Sequence, residues 1–137
     1  MDSAEFARLV VANMPFAAAL QIEIAELSPQ EVRATMPWAP ERCTTGGMLH
    51  GGALMAFADT AGAVCAVVNL PQGASTSTIE SKTNFFRAVR AGVVTATSIP
   101  LHVGRTTIVV QTDLTDDNGK LVARVTQTQA VLSAKAP

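Results

Sequence analysis

Gly51–Leu70, GGALMAFADTAGAVCAVVNL, is the segment that most limits what this chain can become. It contains good helix formers, Ala53, Leu54, Met55 and Ala56 among them, and stops before Pro71. As one helix it is about 30 Å long. It is apolar or small nearly all round, so most of its sides must be buried. One face of one sheet cannot cover it completely, and a second copy of the chain is the simplest cover for the rest. In its middle stands Asp59, the one acidic residue between Arg42 and Glu80. A carboxylate there costs several kcal/mol unless it is paired or hydrogen-bonded, and catalysis is one of the few reasons to place it so.

The segments around this helix read as a sheet. Ser3–Asn13 is a short amphipathic helix that Ser3 can cap, and Pro15 ends it. Leu20–Leu27 and Gln30–Met36 alternate apolar and polar residues about a Ser28-Pro29 turn, the pattern of a hairpin. Pro37–Leu49 is an irregular loop. Strands rich in Val, Ile and Thr follow at Ser75–Arg87, Gly92–Val103, Thr106–Asp113 and Lys120–Leu132, a four-strand meander. Asn118-Gly119 is a two-residue hairpin signal, Gly104-Arg105 marks a turn, and Pro100 predicts a bulge or an edge. The expected architecture is a two-layer α+β domain over residues 1–137, with residues 1–14 as an N-terminal helix and 133–137 as a frayed tail.

Composition narrows the function. The net charge is −1 and no basic run exists, which argues against nucleic acid as a partner. Hydrophobic residues make up 48% and charged residues 15%, so some surface is expected to be buried between subunits. No apolar run reaches transmembrane length uninterrupted, and Met1–Arg8 lacks the basic start of a secretory signal. Cys43 and Cys65 have neither metal nor redox spacing, so no metal or cofactor is expected and the location is expected to be cytoplasmic.

His50-Gly51-Gly52 opens the long helix. Backbone N–H groups at a glycine helix start, aided by the macrodipole, can hold a carbonyl oxygen as it becomes an oxyanion. Asp59 lies eight residues beyond Gly51, about 12 Å along the helix axis. The two cannot act on one carbonyl from one chain. An antiparallel helix from a second subunit could bring them together.

The stretch His50-Gly-Gly-Ala-Leu-Met-Ala-Phe-Ala-Asp59-Thr resembles the signature of hotdog-fold acyl-CoA thioesterases, in particular the phenylacetate-pathway (PaaI-like) branch. Thr78-Ile-Glu80-Ser-Lys-Thr-Asn84-Phe85-Phe-Arg87 is similar to that branch's next strand, and Gly104-Arg105-Thr106-Thr107 also fits, so the likeness covers roughly residues 15–132. The resemblance implies a five- or six-stranded antiparallel sheet wrapped around the helix. It implies dimers paired edge to edge, often paired again into tetramers, with sites at the dimer interface. Asp59 would be nucleophile or general base in thioester hydrolysis, and the Gly51 N–H of the other subunit would polarise the carbonyl.

Other positions carry expectations of their own. Thr44 stands where relatives often have Asn or Gln that orients substrate or water, with Thr45 as an alternative; Thr78 matches a Ser or Thr near the attacking water. His50 either donates to substrate or fixes the loop before the helix. Gly52, Asn84, Phe85 or Phe86, Arg87, Arg105 and Thr106 are candidates for acyl and coenzyme A contacts, with Arg90 near one strand end; each arginine could equally be a solvated surface charge. Glu80 reads as a strand residue paired with Lys82 or Arg87, and Cys65 as core. Two other readings share the fold. A hydroxyacyl dehydratase needs a catalytic His in a Pro-rich loop that is absent here. A non-catalytic acyl-CoA sensor would have no use for Asp59.

Overall fold

The computed structural model describes residues 2–133. Its elements run α1 (Ser3–Ala12), α2 (Pro15–Ala19), β1 (Glu23–Leu27), β2 (Val32–Pro37), α3 (Gly51–Val67), β3 (Ser75–Phe85), β4 (Val93–Val103), β5 (Thr107–Thr115) and β6 (Leu121–Leu132). The six strands form one antiparallel sheet in the order β1-β2-β4-β5-β6-β3. The sheet packs around α3.

Alternation explains the central strands. Val32, Ala34 and Met36 on β2, Val94 and Ala96 on β4, and Ile108, Val110 and Leu114 on β5 are all fully buried. They meet Leu54, Phe57, Ala58, Ala61, Val64 and Cys65 on α3. Threonines and other half-exposed residues of β4 and β5 alternate with them on the outer face, as in a sheet covered on one side. The sheet does not cover all of α3. Gly52, Met55 and Val67 are exposed and Asp59 and Ala63 half-buried, a stripe at helical spacing along one side.

Several expectations need correction. The cap of α1 is Asp2, which accepts from Glu5 N at 2.8 Å in a capping box; Ser3 is already inside the helix. Pro15 opens α2 as its first residue instead of only ending α1. Leu20 caps α2 and Gln21 has φ 56°, so the strand expected from Leu20 starts at Glu23. Helix α3 ends at Val67, where Asn69 Nδ2 donates to Cys65 O at 2.8 Å and closes the last turn. The Asn118-Gly119 pair does not form a two-residue loop. Residues 116–120 link β5 to β6, with Gly119 at φ 75° donating to Asp116 O, a type I turn followed by a left-handed glycine. Pro100 does sit at a bulge, between Pro100 and His102 on β4. Glu80 lies on β3 as read, but among the described residues it forms no ion pair, and Lys82 bonds to Asn84 instead. The expected fraying beyond Ser133 lies outside the described residues.

The larger correction concerns β3. It is not the first strand of a meander but the far edge of the sheet, paired only with β6. Its composition, Ser-Thr-Ser-Thr-Ile-Glu-Ser-Lys-Thr-Asn-Phe, has no apolar face to bury, and none of its residues is fully buried. A central position would leave those hydroxyls and charges without water. Residues 86–92 therefore carry the chain back past β6 and β5 to β4. Val89 pins this crossing in the core, and Leu49 N donates to Val89 O at 2.9 Å. The crossing lies beside the start of α3.

Candidate active site

At the start of α3 the backbone donors are almost fully committed. His50 is the N-cap; its Nδ1 accepts from Gly52 N at 2.7 Å. Its carbonyl takes Ala53 N at 2.9 Å and Leu54 N at 3.2 Å. Gly51 N–H alone has no acceptor among the described residues. This end is held by Arg42, a buried arginine whose guanidinium donates to Pro37 O, Ala19 O and Gln21 Oε1, while its carbonyl accepts His50 N at 2.9 Å. Nothing in the sequence singled out Arg42, because a loop arginine reads as surface.

A cleft of about 320 Å³ opens at this end, lined by Thr44, Met48, Gly51, Leu54, Phe85, Phe86 and Arg87 among others. Five of the residues picked from sequence, Thr44, Gly51, Phe85, Phe86 and Arg87, are thus gathered in one place. The Phe85 ring packs on Gly51, where an added Cβ would lie 3.2 Å from Cζ. Thr44 is exposed and its hydroxyl has no bond among the described residues; its backbone N donates to Met48 O. Arg90 donates to Gly46 O at 2.9 Å, which ties it to the loop. A cavity of about 500 Å³ lies elsewhere, between α1 and β1, with Arg8 and Glu26 in its lining. Glu26 is ion-paired with Arg33, and none of the candidate site residues lines that cavity.

Asp59 lies two turns further along α3. Its Oδ1 accepts from Thr78 Oγ1 at 2.9 Å and from Gln127 Nε2 at 3.1 Å. Oδ2 has no partner among the described residues. The half-buried carboxylate is therefore anchored through one oxygen and open at the other. Thr78 reaches it because β3 bulges between Thr78 and Glu80, directly at the contact. Behind Thr78 and Gln127 stands Gln129, whose Oε1 lies 2.6 Å from Thr78 Oγ1 and 2.9 Å from Gln127 Nε2, and whose Nε2 donates to Thr76 at 3.1 Å. Gln127 and Gln129 were missed in the sequence. The signal was there: they share the inward register of Val125 on β6, so two amides point at the core.

Arg105 and Thr106 occupy the β4–β5 turn, exposed, with Gly104 N donating to Thr107 O at 2.8 Å. Thr107 pairs with Ala130, near the β6 end that faces Ser75, whereas Phe85 pairs with Ala123. Arg105 and the cleft at Gly51 therefore lie toward opposite ends of the same sheet. Asn84 is exposed beside Lys82, which donates to it at 3.0 Å. Cys65 is buried and inert, its thiol pushed up to about 11 by burial. Among the described residues no group of three His, Cys, Asp or Glu side chains is placed to hold a metal, and no helix is long and apolar enough to cross a membrane.

One long helix wrapped by a six-stranded antiparallel sheet is the hotdog fold. A profile of the thioesterase superfamily matches residues 46–123, and the chain belongs to that family. A Vibrio cholerae protein named "putative esterase" is 38% identical over 112 residues, 82% of this chain and 75% of that one. The crystal structure of a Haemophilus influenzae thioesterase superposes with TM-score 0.91 at 29% identity, covering 99% of this chain and 94% of the other. That of a variant of a Pseudomonas aeruginosa thioesterase does so with TM-score 0.89 at 27% identity, covering 96% and 95%. The family assigns this chain to the thioester hydrolases.

Proposed function

We propose that this single-domain protein hydrolyses acyl-CoA thioesters at a site shared by two copies of the chain, as in the PaaI-like branch. Asp59 of one copy supplies the carboxylate, and the Gly51 N–H of the other supplies the oxyanion donor. The observation that carries this reading is a division of labour within one chain. The uncommitted N–H and the half-anchored carboxylate are each built for one half of acyl transfer, yet they stand about 12 Å apart along α3.

The reaction follows from those two groups. Asp59 Oδ2 attacks the thioester carbonyl, or takes a proton from a water that does. The carbonyl oxygen becomes an oxyanion against Gly51 N–H, and the coenzyme A thiolate leaves as the oxyanion collapses. In the first case water then cleaves the mixed anhydride; in the second the acid forms directly. A carboxylate partly stripped of water is the stronger base and nucleophile.

Three features support a second copy as the missing half. Strand β3 is an eleven-residue edge with Ile79 and Phe85 exposed, a template for pairing. The uncovered stripe of α3 includes Met55 and Asp59. In an antiparallel pair the opposite ends of the two sheets meet, so Arg105 and Thr106 of one copy come to the end that holds Gly51, Phe85 and Arg87 of the other. That would gather cations for coenzyme A phosphates around one thioester, with Asn84 and Gly52 at the margins. Pairing of such dimers into tetramers and a cytoplasmic location belong to the same reading.

A mixed-subunit experiment tests it. Gly51→Pro removes the N–H at a helix position that tolerates proline, behind a His50 already extended at φ −63° and ψ 137°. Alone, Gly51→Pro and Asp59→Asn should each be nearly inactive. Unfolded and refolded together, half of the dimers are mixed and each restores one site of two, so about a quarter of full activity should return. No recovery in mixtures shown to contain heterodimers would rule the shared site out.

A further inference from the structure

We propose that Gln127 is a positioning residue for the reaction, holding the Asp59 carboxylate by Oδ1 so that Oδ2 stays free. The inference rests on Asp59 being the catalytic carboxylate and adds to it the device that aims it. Proton counting singles out Gln127. Thr78 has one hydroxyl proton for two acceptors, Asp59 Oδ1 at 2.9 Å and Gln129 Oε1 at 2.6 Å, and the shorter contact is to Gln129. It cannot serve Asp59 and Gln129 together. The Gln127 amide has two protons for its two acceptors, Asp59 Oδ1 at 3.1 Å and Gln129 Oε1 at 2.9 Å. Its nitrogen faces two oxygens, so the opposite amide orientation would set oxygen against both. Gln127 is the donor that remains on Asp59 whichever way Thr78 turns.

The fold makes room for this amide. Gln127 is 1% exposed, and its Oε1 is buried with no partner among the described residues. It lies against Gly62, three residues after Asp59, where any Cβ would overlap Oε1 and crowd the amide carbon. A glycine inside a helix is unfavourable against alanine. An orphaned buried carbonyl is unfavourable as well. Both are tolerated at the one place where they let a neutral amide donate to the carboxylate from beneath. Gln127 is enclosed beneath the helix, so it aims the carboxylate without meeting substrate.

The test uses Gln127→Met, which keeps the bulk and removes the donor, and Gly62→Ala, which keeps the donor and displaces it. Gln127→Glu serves as a third variant of nearly unchanged shape. The Asp59 carboxyl carbon is followed at one fixed pH by carbon-13 NMR on aspartate-labelled protein, assigned by the signal missing in Asp59→Asn. Thiol release is measured on hexanoyl-CoA and benzoyl-CoA, with melting followed in parallel. Gln127→Met should displace that signal, lower kcat about tenfold and leave KM within about twofold. Gly62→Ala should change the signal and kcat in the same direction by less. Gln127→Glu sets a second carboxyl against Asp59 Oδ1 and should lower kcat further. Should Gln127→Met not fold, the other two variants carry the test. An unchanged signal and kcat in the variants that fold, with Asp59→Asn inactive, overturns the role of Gln127 alone. Full turnover in Asp59→Asn overturns the catalytic reading and this inference together.

Discussion

Asp59→Asn separates chemistry from architecture at the centre of the site. The asparagine keeps Oδ1, so the donors Thr78 at 2.9 Å and Gln127 at 3.1 Å keep their acceptor. What disappears is the charge, and with it the nucleophile or base. Losing a positioned general base lowers the rate by about 10²–10⁴-fold, or roughly 3–5 kcal/mol in the barrier. The stability change is smaller. The Gln127 bond, and the Thr78 bond when that hydroxyl turns to residue 59, fall from charge-assisted to neutral strength, a loss of about 1 kcal/mol apiece, and relief from desolvating a carboxylate opposes it. A net change under about 2 kcal/mol follows, and a melting shift of only a few degrees. Asp59→Ala should be worse for stability, because the Gln127 donor loses an acceptor while Thr78 can still turn to Gln129. The assay is thiol release over a panel of straight-chain and aryl-CoA thioesters, beside a circular-dichroism melt, with deamidation back to aspartate checked by mass. If Asp59→Asn melts normally and keeps turnover within tenfold of the parent, the carboxylate is not the catalyst.

Two further outcomes follow from the core. Phe57 is fully buried at the centre of the main cluster, so Phe57→Ala should cost about 3–5 kcal/mol in urea unfolding. A loss below about 1 kcal/mol would mean that α3 does not pack on the sheet as described. Cys65 should resist thiol reagents in the native protein while the half-buried Cys43 reacts first. Burial raises the Cys65 thiol from 9.0 to about 11, so the folded state keeps a proton that the unfolded chain loses. Its contribution to stability is therefore intact below pH 9 and lost as the pH rises through about 11, with denaturant titrations between pH 8 and 11 as the measurement.

Much of the fold was legible because its signals are local. The apolar run, the alternating strands, Pro100 and the Ser28-Pro29 turn each act on their own neighbours. Errors gathered where the deciding contact is distant. The Thr- and Ser-rich β3 reads as a strand from sequence, yet its place at the edge depends on which strand has a face left to bury. Leu20–Ile22 alternates like a strand, but Leu20 caps α2 and Gln21 turns into the left-handed region.

The sequence by itself determined that a carboxylate stands inside a nearly all-apolar helix and that it lies too far from the glycine start to share a carbonyl with it. Both are matters of composition and helical rise, fixed once the helix is. The tertiary structure alone decided what anchors that carboxylate. Thr78, Gln127 and Gln129 lie 19, 68 and more residues away in the chain, and they meet only because β3 closes the sheet beside β6 under α3. Strand pairing is a long-range choice, settled by which faces can be dried and which must keep a partner.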